Sequence, residues 1–175
     1  MAVTKGLEGI VAATSSVSSI IDGVLTYRGY NIDDLAENAT YEEVVYLLWY
    51  GKLPNRSELE TLRNDLSENA EIPTQVMDLI RSFPKNANSM AVLRSAVSAL
   101  ALFDPEGHDI DAQACKRIAT RLQAKLPTIV AAFDRIRNGL EPVAPKKGVT
   151  VAENFLYMLT GKQPDEVAVK ALDKA

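Results

Sequence analysis

The sequence predicts an all-α, multihelical fold behind a short β-like N-terminal segment. Three observations carry that prediction. Apolar residues recur at three- and four-residue spacing over most of the chain from Ile32 onward. Helix-start signals punctuate those stretches, among them the capping-box patterns Thr40-Tyr41-Glu42-Glu43 and Thr150-Val151-Ala152-Glu153. The opening, residues 1–30, has neither, and its serines interleave with Val17, Ile20 and Ile21 instead.

Within that opening, extended segments are expected around Ile10-Val11 and Val24–Tyr27, linked by a turn at Asp22-Gly23. Asn31 is placed to cap a helix beginning at Ile32. Glu43 can reach back to the Thr40 amide, Val44, Val45, Leu47 and Leu48 supply an apolar stripe, and Gly51 stops that helix. Asn55 caps the next, with Leu59, Leu62 and Leu66 in phase. Pro73-Thr74 opens another through Val76, Leu79 and Ile80. Ser89 is the expected cap of a strongly apolar, buried helix through Met90, Val92, Leu93, Val97, Leu100 and Leu102.

Asp109 to Leu126 reads as an amphipathic helix with Ile110, Cys115, Ile118 and Leu122 inward. Pro127 fits the first turn of a separate helix running from Thr128 to Asn138 and stopped by Gly139. Pro142, Pro145 and Gly148 form a loop, Thr150 opens a helix ending at Gly161, and Pro164-Asp165-Glu166 opens the last. In that last helix Val167, Ala168, Ala171 and Leu172 keep step to Ala175 without a stop signal. The division expected is therefore residues 1–30 as a β-like segment and 31–175 as one helical array.

Composition narrows the function classes. Of 175 residues 47% are hydrophobic and 24% charged, which is globular rather than disordered composition. A net charge of −4, with basic runs no longer than pairs such as Lys116-Arg117 and Lys146-Lys147, argues against a nucleic-acid binder. A single cysteine, Cys115, allows no internal disulfide and no Cys-based zinc cluster, and its expected role is a small, half-buried helix side chain. A single histidine, His108, cannot supply a His-rich metal site. No stretch reaches the roughly 18 apolar residues of a membrane helix, and no signal or transit pattern opens the chain. A soluble protein of a reducing cytoplasm is the expectation.

No catalytic template is met. His108 sits in Asp104-Pro105-Glu106-Gly107-His108-Asp109, which reads as a solvated loop, and no G-x-S-x-G elbow accompanies it. Neither phosphate-binding glycine pattern occurs, and Lys5-Gly6-Leu7-Glu8-Gly9 reads as an ordinary turn. The acid pairs Asp33-Asp34 and Glu42-Glu43 lie early in helices, where carboxylates favour the positive end of the dipole, so capping outweighs metal or acid–base work. Tyr27-Arg28-Gly29-Tyr30 reads as a turn that anchors the fold, with Gly29 for the reversal and Arg28 for a carboxylate elsewhere; contact with an anionic ligand through Arg28 is the weaker alternative. No residue is assigned as catalytic, substrate-binding or metal-ligating.

Several blocks resemble a known family. Gly6-Leu7-Glu8-Gly9-Ile10-Val11, Ser15-Ser16-Val17-Ser18-Ser19-Ile20-Ile21-Asp22-Gly23 and Leu25-Thr26-Tyr27-Arg28-Gly29-Tyr30-Asn31-Ile32-Asp33-Asp34-Leu35 are similar to the opening of a bacterial citrate synthase. The resemblance continues through Tyr41–Trp49, Gly51-Lys52-Leu53-Pro54, Met90–Ser98, Arg121–Ala132 and Glu153–Leu159, in order along nearly the whole chain.

The resemblance implies an almost entirely helical enzyme, usually a homodimer, whose large and small domains close over the substrates. The family condenses the acetyl group of acetyl-CoA with oxaloacetate and hydrolyses citryl-CoA to citrate and CoA, with no metal or cofactor. A carboxylate removes a methyl proton, one histidine stabilises the enolate and another acts on the oxaloacetate carbonyl. Those motifs lie C-terminal to anything in this sequence, and none of its residues, His108 included, matches a catalytic position. The resemblance therefore implies the N-terminal half of a family member, within the large domain and inactive alone. Such a chain is expected to pair with a second copy or with a partner carrying the remaining half. The uncapped last helix, Leu172-Asp173-Lys174-Ala175 at its end, points the same way. The family often has His at Tyr50 and His-Pro at Asn88-Ser89, which are not catalytic positions. Because 2-methylcitrate synthases share these blocks, propionyl-CoA is the alternative substrate. A non-catalytic helical interaction module is the reading from a different class.

Overall fold

Two tight reversals open the described part of the chain. The computed structural model describes Val11 and residues 13–175. Asp22 (φ 52°) and Gly23 (φ 81°) join β1 (Ser18–Ile21) to β2 (Val24–Tyr27), and Arg28 (φ 50°) and Gly29 (φ 89°) join β2 to β3 (Tyr30–Asn31). Two consecutive residues with positive φ are the requirement of a two-residue type I′ hairpin turn, whose twist matches that of the strands. The result is an antiparallel sheet in the order β1-β2-β3, with Ser18 opposite Tyr27 and Tyr27 opposite Tyr30.

This corrects one expectation. The strand paired with β2 is Ser18–Ile21, and Val11 lies in no strand. A two-residue turn at Asp22-Gly23 fixes the register so that the residues directly before it must pair. Ile10 and the Lys5–Gly9 turn lie outside the described residues.

Eight helices follow among the described residues: α1 (Ile32–Asn38), α2 (Tyr41–Tyr50), α3 (Arg56–Glu68), α4 (Thr74–Ser82), α5 (Ser89–Leu100), α6 (Ala112–Arg137), α7 (Val151–Thr160) and α8 (Glu166–Lys174). Their starts follow local chemistry. Asn31 Oδ1 accepts the Asp33 N–H at 2.9 Å, and Asn55 and Glu58 form a reciprocal capping box at 2.9 and 2.8 Å. The Thr40 N–H donates to Glu43 Oε2 at 2.7 Å. At Thr150 only half of the expected box forms: its hydroxyl accepts the Glu153 N–H at 3.2 Å, while the Glu153 carboxylate accepts from Gln163 instead. Gly51 and Gly161 end α2 and α7 in the left-handed conformation.

Three boundaries differ from expectation. The cap of α5 is Asn88, whose Oδ1 accepts the Met90 and Ala91 N–H groups at 3.0 and 3.2 Å; Ser89 is the first helical residue and its hydroxyl accepts from Arg137. α6 begins at Ala112 rather than Asp109. Asp109 Oδ1 accepts the Asp111 N–H at 2.9 Å, a local turn that competes with the helix, and Asp111 then becomes the cap. Ile110 is therefore 92% exposed, Cys115 is exposed, and Ala114 takes the inward position.

The largest difference is Pro127. It does not start a helix but lies inside α6, which runs unbroken for 26 residues, about 39 Å. Proline removes one backbone hydrogen bond and costs an exposed helix about 3 kcal/mol. Here burial on both sides outweighs that loss: Ala124 packs with α2 and α3, while Ile129 and Phe133 pack with α4 and α5.

α6 is thus the axis of the molecule, touching α3, α4, α5 and α7. The main core joins Ile72, Val76, Ile80, Val92, Ala96 and Leu100 to Ile129 and Phe133. A second core sets Val45 and Tyr46 on Leu62, Leu66 and Ala124. Leu35, Ala39 and Leu47, with Tyr27 packed against them, tie the sheet to α1 and α2. Asn154 fastens the loop before α7 by exchanging hydrogen bonds with the Lys146 backbone at 2.9 and 3.1 Å.

Candidate functional site

The hairpin turn that singles out Arg28 holds a structural contact. Arg28 sends one guanidinium nitrogen to the Leu48 carbonyl at 2.7 Å and the other to the Ser16 hydroxyl at 2.7 Å. Leu48 is in the last turn of α2, where carbonyls lack intrahelical partners and the dipole favours a cation. The turn therefore clamps the sheet to the end of α2. The partner of Arg28 is a helix terminus rather than the carboxylate expected from sequence.

The two acid pairs separate by role. Asp33 and Asp34 lie exposed in the first turn of α1, as dipole and capping arguments predict. Glu43 caps its own helix, but Glu42, 1% exposed, reaches across to α7. Its Oε1 accepts the Val151 N–H at 2.9 Å, and its Oε2 faces Arg63 at 3.6 Å. A buried carboxylate thus occupies the N-terminal end of a helix distant in sequence. Nothing local to Glu42 signals this, because Val151 is 109 positions away.

The loop that follows α5 carries the densest charge cluster. Asp104 binds the Arg121 guanidinium side-on, at 2.8 and 2.7 Å, and also accepts the Glu106 N–H at 2.9 Å. Glu106 binds Arg117 and lies 2.9 Å from Arg121. Arg121 holds the Asp104 carboxyl below the usual carboxylate range. Gly107 is required by contact: a Cβ there would stand 2.8 Å from the Ala101 carbonyl oxygen. His108 is exposed on this loop, as the sequence suggests. Beneath the loop lies a cavity of about 280 Å³, with Val97, Leu100, Leu122 and Lys125 in its wall. Burial, reinforced by Arg121, pushes the Lys125 amine below its ordinary value.

These groups make ion pairs, caps and one cavity. The described residues contain no cluster of three or more His, Cys, Asp or Glu side chains able to hold a metal ion, and no helix long and apolar enough to cross a membrane. Sequence reasoning missed both Glu42 as a cap for α7 and the Lys125 cavity. The first depends on a long-range contact. The second was hinted at only by a lysine on the inward phase of an amphipathic helix, with Ile118 and Leu122.

Comparison with known proteins supplies the wider context. Residues 6–175 match the family model "Citrate synthase, C-terminal domain". "Citrate synthase 2" of Bacillus subtilis is 52% identical over 100% of this chain and 47% of its own length. "2-methylcitrate synthase 1" of Corynebacterium glutamicum is 39% identical over 98% of this chain and 45% of its own. The solved structure of the Thermoplasma acidophilum citrate synthase, a ternary complex with carboxymethyl coenzyme A and oxaloacetate, superposes with a TM-score of 0.91. Its identity is 26%, and the match covers 98% of this chain and 46% of that one. The chain spans about half the length of the curated relatives it matches. A helical fold shared throughout and identity sustained from end to end place this chain in the citrate synthase family.

Proposed function

We propose that these 175 residues form the N-terminal, large-domain portion of a citrate synthase. The complete enzyme condenses acetyl-CoA with oxaloacetate and hydrolyses the resulting citryl-CoA to citrate and CoA. The observation that carries this reading is the 52% identity to a citrate synthase over the whole chain. The charge clusters here are engaged in caps and ion pairs, so this portion acts as scaffold and the acid–base groups come from elsewhere in the enzyme. Catalysis by preorganised histidines and a carboxylate needs those groups held on rigid elements, and α6 with its packed neighbours is such an element. We further propose a homodimer, or assembly with a partner carrying the remaining half, in the cytoplasm.

Two tests separate the alternatives. In a coupled assay of CoA release with oxaloacetate and acetyl-CoA, the chain alone is expected to show no turnover; turnover would mean that the catalytic groups are misplaced. The chain completed by the remaining segment of a relative is then assayed with acetyl-CoA and propionyl-CoA. A higher kcat/KM for acetyl-CoA fits the proposal, whereas preference for propionyl-CoA makes it a 2-methylcitrate synthase, as the similarity to the Corynebacterium enzyme would allow.

A further inference from the structure

α8 is docked by charge at one end rather than by an apolar face. None of the described residues of α8 is buried: Val167 is 79% exposed, while the charged Asp173 and Lys174 at its far end are half-buried. Apolar burial therefore contributes little to holding this helix in place. It lies beside α7, with Ala168 and Val169 half-buried. A cleft of about 550 Å³ separates α8 from the starts of α2 and α7, with Thr40, Thr150, Glu153 and Lys170 in its wall.

The contacts at that far end match opposite charges to opposite helix ends. Asp173 Oδ1 accepts the Tyr41 N–H at 3.2 Å, in the first turn of α2, where backbone donors lack intrahelical partners and the dipole favours an anion. Lys174 Nζ donates to the Ala39 carbonyl at 2.5 Å and to the Glu37 carbonyl at 3.4 Å. Those carbonyls close α1, and a helix C-terminus favours a cation. Two neighbouring residues thus straddle the junction of two consecutive helices, each sign on the end that suits it. At the near end the chain is fixed as far as Gln163, which accepts from Lys146 and donates to Glu153, both at 2.7 Å. Pro164 and Asp165 lie between that fixed point and the helix.

We propose that α8 is a hinged strap beside this cleft. It pivots at Pro164-Asp165, is latched by Asp173 and Lys174, and opens as one unit while the other helices stay packed. Local opening of this kind belongs to elements with few buried apolar contacts. Each latch contact is a hydrogen bond to a charged group, so losing one shifts the opening equilibrium by roughly tenfold or more. Opening frees the Tyr41 N–H and uncovers the Thr40 and Thr150 side of the cleft.

The test is native-state amide hydrogen exchange on the 175-residue chain, followed residue by residue. The amides of Val169–Lys174 should share one opening constant, well above those of α5 and the middle of α6. Asp173→Ala and Lys174→Met should each raise that constant by roughly tenfold or more and leave α5 unchanged. The double exchange Asp173→Lys with Lys174→Asp keeps the net charge, yet each charge then meets the wrong helix end. It should open α8 further than either single variant. Simple fraying of a helix end would instead give protection that falls step by step toward Lys174. That gradient, exchange of α8 only together with α5 and α6, or latch variants that leave its opening constant unchanged would overturn the proposal. Should a variant fail to fold, the wild-type pattern decides alone.

Discussion

Arg28 and Glu42 are each a single side chain that joins two elements through the end of a helix. Arg28→Ala strips the Leu48 carbonyl of its cationic donor and is expected to lower stability by about 1.5–3 kcal/mol, the worth of a hydrogen bond to a charged group. In the completed enzyme the KM for acetyl-CoA should not change; a selective rise in that KM, with stability intact, would mean that Arg28 contacts the ligand. Glu42→Ala should cost more, about 3–5 kcal/mol in urea unfolding, because it uncaps α7 and leaves Arg63 facing an empty, buried position. Glu42→Gln keeps an acceptor for the Val151 N–H and should cost less than alanine. If the two substitutions cost the same, the Val151 contact contributes nothing. The sequence showed the chemistry of Arg28 but not its partner, and for Glu42 it showed only a helical acid. Local spacing reveals local caps, whereas a contact 109 positions away becomes visible only when the helices are packed.

The boundaries of α5 and α6 depend on which of two neighbouring polar residues wins the cap. Asn88 makes the capping bonds of α5, so Asn88→Ala should destabilise the protein by about 1 kcal/mol, and Ser89→Ala by less. A larger loss at Ser89 would restore the boundary that sequence suggested. Asparagine and serine are near-equal as caps, so adjacent candidates cannot be ranked without the backbone angles. Pro127 was misread for a related reason. Proline marks a helix start by its missing donor, but burial of Ala124, Thr128 and Ile129 carries α6 through it. The Gly51 and Gly161 stops, the Asn31 and Asn55 caps and the Thr40–Glu43 reach-back were legible because each is decided within a few residues.

The Asp104–Arg121 pair, which docks the loop after α5 onto α6, gives this element a pH dependence. Arg121 depresses the folded-state pKa of Asp104, so the unfolded chain binds the proton more readily. The pair's stabilisation is therefore fully present above the unfolded value, about 3.9, and is lost as pH falls through the lower folded value. Wild-type thermal stability should fall below about pH 4, and Asp104→Asn should be less stable at neutral pH with a shallower acid decline. An unchanged acid profile in Asp104→Asn would contradict the pairing.

At the scale of the whole molecule the helical class was legible because amphipathic periodicity and caps agree over most of the chain, and the family blocks run in the order the fold requires. The hairpin was legible at its turn, where Asp22-Gly23 demands positive φ, but not in its first strand. Function was not legible from isolated chemistry, since the acids and the histidine here serve caps, ion pairs and a solvated loop. It rests on membership of a family whose members are about twice as long. The central claim is that this chain is an interchangeable scaffold portion of a citrate synthase. The most direct measurement is oxaloacetate-dependent CoA release by a chimera in which it replaces the matching segment of Bacillus subtilis citrate synthase 2. The account predicts a folded chimera that releases CoA from acetyl-CoA; a stably folded chimera with no turnover would contradict it.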